Sequence, residues 1–191
     1  ANREVILSGG AVNSPQILEV NGIGDPQVLK AAGIAVRHAL PGVGTNCQDH
    51  YVVSVQFRLA PGTVSVNEMS RGWRLMVEAA KYAATRKGLL TLSAAHVQAY
   101  WRSRPGLSGP DVQYHILPAS VDVEKFVAEG VWELEKVPGL TIAPCQLRPE
   151  SRGTIHVKSP DPFAPPAIRP NYLSDPIDQQ TITEGLKFAD H

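Results

Sequence analysis

The residues of this sequence with the most capacity for chemistry fall in two short stretches. Ser8-Gly9-Gly10 follows an apolar run, Val5-Ile6-Leu7, and precedes Ser14-Pro15. Glycines between a strand and a helix let backbone amides approach a phosphate or a ribose, and the same glycines can serve a tight turn on steric grounds alone. The second stretch ends in Asp49-His50, the sharpest polar pair of the chain. A neighbouring carboxylate and imidazole either tie a loop down or line a site. Ser14 lacks the Gly-x-Ser-x-Gly setting of a nucleophile, and the proline after it suits a helix cap. Gly22-Ile23-Gly24 and Gly42-Val43-Gly44 begin like dinucleotide fingerprints, but Gln27 and Cys47 stand where the third glycine belongs.

Other reactive side chains are scattered. His38, His96, His115 and His156 fall on strand-like segments and His191 is the last residue; none has ligand spacing with another His, Cys or carboxylate, so no metal is expected. Cys47 and Cys145 are far apart and read as thiols in a reducing, cytoplasmic compartment. Trp73, Trp101 and Trp132 read as core or edge residues. Eighteen basic and eighteen acidic residues cancel, so net charge points to neither nucleic acid nor an anionic membrane. No apolar run approaches the length of a transmembrane helix, and the opening residues do not form a signal peptide.

These groups need elements to hold them. Val5-Ile6-Leu7 reads as a buried strand entering the Ser8–Gly10 turn. Ser14 then reads as an N-cap with Pro15 at the first helical position, and Gly22 as the left-handed stop. Asp25-Pro26 repeats the start signal and Gly33 closes a second short helix. Up to about residue 48, strand, turn, helix, helix and strand suit the edge of an α/β nucleotide-binding domain. The character then changes. Tyr51 to Leu59 alternates, with Val53, Val55, Phe57 and Leu59 on one face, as in a half-buried antiparallel strand. Arg71 to Lys87 reads as an amphipathic helix with Gly88 as its C-cap. Further strands are expected at Ala95–Trp101, Val112–Leu117, Leu140–Leu147 and Thr154–Val157. Ser159 to Pro170 reads as an extended, proline-rich crossing, and Ser174-Asp175-Pro176 starts a last helix carrying Ile182, Leu186 and Ala189 at helical spacing. Both ends read as cut within secondary structure, as in a piece of a longer protein.

Gly10-Ala11-Val12-Asn13-Ser14-Pro15-Gln16-Ile17-Leu18, leading to Asn21-Gly22-Ile23-Gly24, is similar to the second signature of the glucose-methanol-choline (GMC) oxidoreductases, with Asn21 where Ser is usual. Pro41-Gly42-Val43-Gly44, with Asn46, Gln48, Asp49 and His50, resembles the next block of that family, and Cys47 stands where Leu is commoner. Pro149 to Gly153 into Thr154–Val157, then Asp161-Pro162 and Asn171-Tyr172-Leu173, resembles the opening of its C-terminal region. The three blocks occur in the family's order.

The resemblance implies an internal fragment of a choline- or alcohol-dehydrogenase-like flavoprotein. Its fold would be an α/β edge of an FAD-binding domain (residues 1–50), then an α+β substrate domain with an antiparallel sheet over the flavin (51–148), then a truncated start of the C-terminal region (149–191). The implied activity is oxidation of a primary alcohol by hydride transfer to FAD, with oxygen or a quinone-like molecule as electron acceptor. The cofactor carries the redox chemistry, and a histidine nearer the C-terminus of such enzymes takes the hydroxyl proton. That histidine and the dinucleotide fingerprint fall outside this sequence, so no catalytic residue is expected here. Ser8, Gly9, Gly10, Ser14, Pro15, Asp49 and His50 are the residues expected near FAD. Two rivals stand beside this reading: a non-catalytic piece that cannot hold FAD alone, and a nicotinamide-dependent Rossmann dehydrogenase.

Overall fold

The computed structural model describes residues 3–93 and 95–190; His191 lies outside them. Two compact units divide the chain, Ala1–Asp49 with Pro149–Gln179 and His50–Arg148 with Gln180–His191. Helices and mainly antiparallel sheets make up both.

The first unit opens differently from its sequence. Val5, Ile6 and Leu7 are 84%, 81% and 37% exposed and form no strand. A buried strand needs neighbours to take its backbone hydrogen bonds, and no strand pairs with this run among the described residues. Helix α1 (Gly10–Val20) starts four residues before Ser14, so Ser14 is not its N-cap and Pro15 lies inside it. The reason is local. The Ser14 hydroxyl reaches back and accepts the Gly9 N–H at 3.1 Å, which closes residues 9–14 as a helical turn. Pro15 then forfeits only the bond that its missing N–H would give to the Ala11 carbonyl. Gly22 does end the helix in the left-handed region, at φ 80°. Strand β1 (Ile23–Gly24) leads to α2 (Pro26–Ala31), where Asp25 caps the amides of Gln27 and Val28 and Pro26 occupies the first position. Strand β2 (His38–Ala39) pairs parallel with β1. Leu29, wholly buried, and Val43 lie in this unit's core.

The second unit is built on strand β3 (Val55–Arg58), helices α3 (Val66–Met69) and α4 (Gly72–Thr85), strands β4 (Val97–Trp101) and β5 (Val112–Leu117), helix α5 (Val123–Glu129) and strand β6 (Gly139–Gln146). The sheet order is β3-β6-β5-β4, antiparallel throughout, with Val55 opposite Ile142 and Val112 opposite Gln146. Helix α4 does not end on Gly88. Two residues before it, Arg86 takes the left-handed conformation at φ 56° and donates its N–H to the Tyr82 carbonyl. Gly88, at φ 102°, instead passes over Glu78, whose Oε2 would lie 2.6 Å from any Cβ there. Helix α5, unforeseen in the sequence, is capped by Asp122 and ends at Gly130 in the left-handed region. Asn67 is wholly buried; its amide meets the Ser120 carbonyl at 2.9 Å and the Glu135 carbonyl at 3.0 Å, and its Oδ1 accepts the Ser120 N–H.

Strands β7 (Thr154–His156) and β8 (Ala167–Arg169) form a hairpin in the first unit, so the proline-rich stretch is a hairpin connection and return strand rather than a plain crossing. Its prolines flank β8 and leave the three residues between them free to pair. Helix α6 (Pro176–Ala189) follows. Asp178, at its start, is 1% exposed and accepts the N–H groups of Glu150 and Ser151 and the Ser151 hydroxyl. Farther along, Phe188 stacks on Trp101 with ring centroids 4.7 Å apart, and the Tyr114 hydroxyl donates to the Gly185 carbonyl at 3.0 Å. Val112, Tyr114 and Ala189 form the core of the second unit. Trp73 and Trp132 are not core residues, being 70% and 69% exposed.

Candidate functional site

Loop 42–48 is held against the start of the β7 hairpin by backbone bonds. Cys47 and Gly153 exchange N–H to carbonyl bonds of 3.0 and 2.8 Å, and Ile155 donates to the Gly44 carbonyl at 2.7 Å. The Gln48 side chain donates to the Pro149 carbonyl at 2.8 Å. Such an approach needs a bare backbone: a Cβ on Gly44 would lie 2.2 Å from the Ile155 carbonyl oxygen. Two of the sequence blocks, about a hundred residues apart, are thereby joined.

Helix α1 is tied to the same hairpin from inside. Glu19 has no exposed surface; one carboxylate oxygen lies 2.7 Å from Nδ1 of His156 and the other accepts the Val157 N–H at 2.8 Å. Gln16 adds two bonds from its amide to the carbonyls of Pro162 and Ala164. The helix cannot rotate without breaking these contacts.

A cavity of about 600 Å³ lies between α1 and the loop. Ala11, Ser14, Pro15 and Leu18 form one wall, Gly42 to Gln48 the other, and Ile155 contributes at the base. The volume is within the ~300–1,000 Å³ usual for small-molecule sites. No lining residue carries a charge, and its polar groups are hydroxyls, a thiol, amides and backbone.

Of the residues picked from sequence, Ser14 and Pro15 line this cavity. Ser8, Gly9 and Gly10 lie just before or at the start of α1 and are not in its lining. Asp49 follows the loop and accepts a hydrogen bond from the Tyr172 hydroxyl, within the first unit. That bond to Asp49, with burial and the Asp49 charge, pushes the Tyr172 phenol up to about 12. His50 begins the second unit.

Two GMC oxidoreductase models match the chain, the N-terminal one over residues 1–52 and the C-terminal one over residues 149–191. The chain belongs to the GMC oxidoreductase family. It is 40% identical over 190 residues to the alcohol dehydrogenase [acceptor] of Pseudomonas putida, covering 97% of this chain and 33% of that protein. It is 33% identical over 189 residues to the oxygen-dependent choline dehydrogenase of Pseudomonas aeruginosa (strain LESB58), covering 99% of this chain and 32% of that one. The chain thus spans about a third of the length of these curated relatives. Among solved structures, a formate oxidase superposes with a TM-score of 0.84 at 23% identity, over 99% of this chain and 36% of that chain, which shows a shared fold.

FAD is the cofactor of this family. The cavity fits part of that molecule. Its apolar and neutral walls suit a flat ring or a sugar, and Gly42, with nothing within 4 Å of a built Cβ, leaves backbone open to a ligand. They offer no cation against a pyrophosphate, whose two negative charges need amides at a helix start or basic side chains. No helix among the described residues is long and apolar enough to cross a membrane.

Sequence reasoning missed Glu19 and Tyr172 as positioning groups. Glu19 lies between apolar residues Leu18 and Val20, a place where a carboxylate is costly unless paired, and that was its only signal.

Proposed function

We propose that this chain supplies one flank of the FAD site and the substrate-domain framework of an enzyme that oxidises a primary alcohol. The observation that carries the reading is the cavity between Ser14-Pro15 and loop 42–48, built where two family regions are hydrogen-bonded together. In this reading residues 1–50 belong to the FAD domain, 51–148 to the substrate domain and 149–191 to the C-terminal region, in a cytoplasmic protein. The names of the relatives, alcohol and choline dehydrogenases, support an alcohol donor, and the oxygen-dependent one supports oxygen among the acceptors.

When bound, FAD supplies the two-electron acceptor for the hydrogen on the alcohol carbon. The chain's own part is placement. The Ser14 and Pro15 side chains and the Gly42–Gln48 backbone bound the cofactor's neutral portion and exclude water from it. The Ser8–Gly10 backbone approaches its ribose or phosphate. Asp49 and His50 flank it, Asp49 held in position by the Tyr172 hydroxyl.

The test is flavin content. Purified at its native length, the protein carries flavin absorbance that bleaches on anaerobic addition of its alcohol. Gly42→Leu, which adds a side chain where there is room for one, lowers the flavin-to-protein ratio without changing the circular dichroism spectrum. A protein that purifies without flavin and turns over with a nicotinamide cofactor ends this reading. The uncharged lining favours one further statement: residues 1–191 alone titrate weakly with FAD, because the cavity offers no cation to the pyrophosphate.

A further inference from the structure

Both walls of the cavity are fastened to one edge of β7. Amides two residues apart in a strand point to the same edge, and here Gly153, Ile155 and Val157 follow one another along the edge that β8 leaves open. The Gly153 N–H goes to the Cys47 carbonyl and the Ile155 N–H to the Gly44 carbonyl, both in loop 42–48. The Val157 N–H goes to Oε2 of Glu19, in α1, at 2.8 Å. The His156 side chain stands where loop and helix meet. Its Nδ1 lies 2.7 Å from Oε1 of Glu19, and since a carboxylate only accepts, the ring nitrogen donates. The same edge of the ring faces Gly44: a Cβ built there would lie 2.7 Å from Nδ1 and 2.9 Å from Cε1. One imidazole edge therefore lies against both walls.

A carboxylate is an expensive way to fill this space. Glu19 has no exposed surface, and an apolar residue between Leu18 and Val20 would bury there without needing a partner. What the Glu19–His156 pair adds is direction. Apolar contact is non-directional and tolerates sliding, whereas a carboxylate held by two donors fixes both the angle and the depth of its helix. Gly44, in the left-handed region at φ 72°, brings bare backbone up to the ring, so the imidazole limits how far the loop closes on the helix. His156 is not among the residues lining the cavity, whereas its neighbour Ile155 is. Its influence on a bound molecule passes through Ala11, Ser14, Pro15 and Leu18 on one side and loop 42–48 on the other.

We propose that His156 is a positioning residue for the cofactor: its imidazole, bonded to Glu19 and packed on Gly44, sets the separation of α1 from loop 42–48 and with it the grip on the flavin nucleotide. This rests on the reading that the cavity holds part of FAD. The test uses the protein at its native length, under conditions where every variant is folded by far-ultraviolet circular dichroism. Two quantities are read, the FAD dissociation constant and the visible circular dichroism of the bound flavin, which reports how the ring is held. His156→Leu keeps bulk and loses the donor; it raises the dissociation constant roughly fivefold, the scale for a residue that acts on a ligand it does not touch, and alters the visible band. His156→Asn, whose amide nitrogen stands near the place of Nδ1, returns both readings toward the parent. Glu19→Met with His156→Leu replaces the pair by apolar groups of similar size, which keeps the fold, and its flavin is still held as weakly as in His156→Leu. Leu29→Val, in the core of the same unit and outside the cavity lining, lowers the urea midpoint and leaves both flavin readings unchanged.

Flavin held as tightly by His156→Leu as by His156→Asn overturns the proposal, and so does parent-like affinity in the double variant. Loss of affinity in Leu29→Val to the same degree as in His156→Leu also overturns it, because the effect is then one of stability alone. The two readings fail separately. A parent protein without flavin overturns the FAD reading and this inference with it, whereas flavin that falls in Gly42→Leu and in no variant of Glu19 or His156 overturns this inference alone.

Discussion

The carboxylate of Glu19, without exposed surface in α1, bridges Nδ1 of His156 at 2.7 Å and the Val157 N–H at 2.8 Å on the β7 hairpin. It connects two stretches that lie more than a hundred residues apart, and it fixes the helix that forms one wall of the cavity. Removing one partner of a buried pair leaves the other unsatisfied, which costs about 3–5 kcal/mol. Glu19→Ala is therefore expected to lower the stability of the chain by about 3 kcal/mol. Glu19→Gln keeps an oxygen for Val157 and offers an N–H to His156, so its cost stays near ~1 kcal/mol. Urea unfolding followed by far-ultraviolet circular dichroism reads the difference; the tryptophans do not, because all three lie in the second unit. A Glu19→Ala variant as stable as the parent would show that the pair has no bearing on stability.

Asp178 makes a sharper case for a single acceptor. Its two oxygens take the Glu150 N–H at 2.9 Å, the Ser151 N–H at 2.8 Å and the Ser151 hydroxyl at 2.5 Å. Asp178→Asn retains one oxygen and turns an N–H₂ group toward a donor, so it can serve Glu150 or Ser151 but not both. We expect about 1–3 kcal/mol of destabilisation for Asn and about 2–4 kcal/mol for Ala. The same urea titration measures both, and an Asn variant as stable as the parent would contradict the assignment.

The sequence made some of this visible and hid the rest for physical reasons. Strands β5 and β7 stand where the apolar alternation places them, because each packs one face and periodicity records that. Helices α2 and α6 start where Asp25-Pro26 and Asp175-Pro176 place them, since a proline at the first helical position loses no bond. Ser14-Pro15 gives the same signal and deceives, because the Ser14 hydroxyl bonds backwards to Gly9. Val5-Ile6-Leu7 has strand residues, but a run of apolar residues does not say whether a neighbouring strand exists. Periodicity in α4 marks an apolar face and not its direction. At the cavity, Ser14 and Pro15 were legible, whereas the pairing of Cys47 with Gly153 depends on two backbones far apart in sequence.

Tyr114 and Tyr172 both hold their protons to high pH, for different reasons. Burial, with the nearby Asp111 charge, pushes the Tyr114 phenol up to about 12. The hydrogen bond to Asp49 comes first for Tyr172, also at about 12. A raised folded-state value favours the protonated phenol. Each contribution to stability is thus fully present below the unfolded value of about 10 and disappears as pH rises through about 12. Ultraviolet phenolate titration should show two late tyrosines, one removed by Tyr114→Phe and one by Tyr172→Phe. Asp49→Asn should bring the second of these to lower pH and leave the first unmoved. If both respond alike to Asp49→Asn, the Tyr172 assignment is wrong.

Gly153 and Gly42 separate a glycine that close packing requires from one that faces the cavity. Gly153 has no room: a Cβ would meet the Arg169 carbonyl at 2.2 Å and the Pro170 carbonyl at 2.5 Å, both backbone atoms that cannot swing away. Gly153→Ala must push the start of β7 away from the end of β8, and overpacking of this kind costs about 1–3 kcal/mol or more. Gly42 meets nothing within 4 Å, so Gly42→Ala should leave the urea midpoint within about 0.5 kcal/mol of the parent. The two variants then diverge in a second measurement. Gly153→Ala disturbs flavin retention through the fold, and its circular dichroism spectrum and flavin content fall together. Gly42 substitutions of increasing size reduce flavin content alone, in order of side-chain volume. A series from Ala to Leu at Gly42 that leaves flavin content constant would remove loop 42–48 from the cofactor site while keeping its role in joining the two family regions.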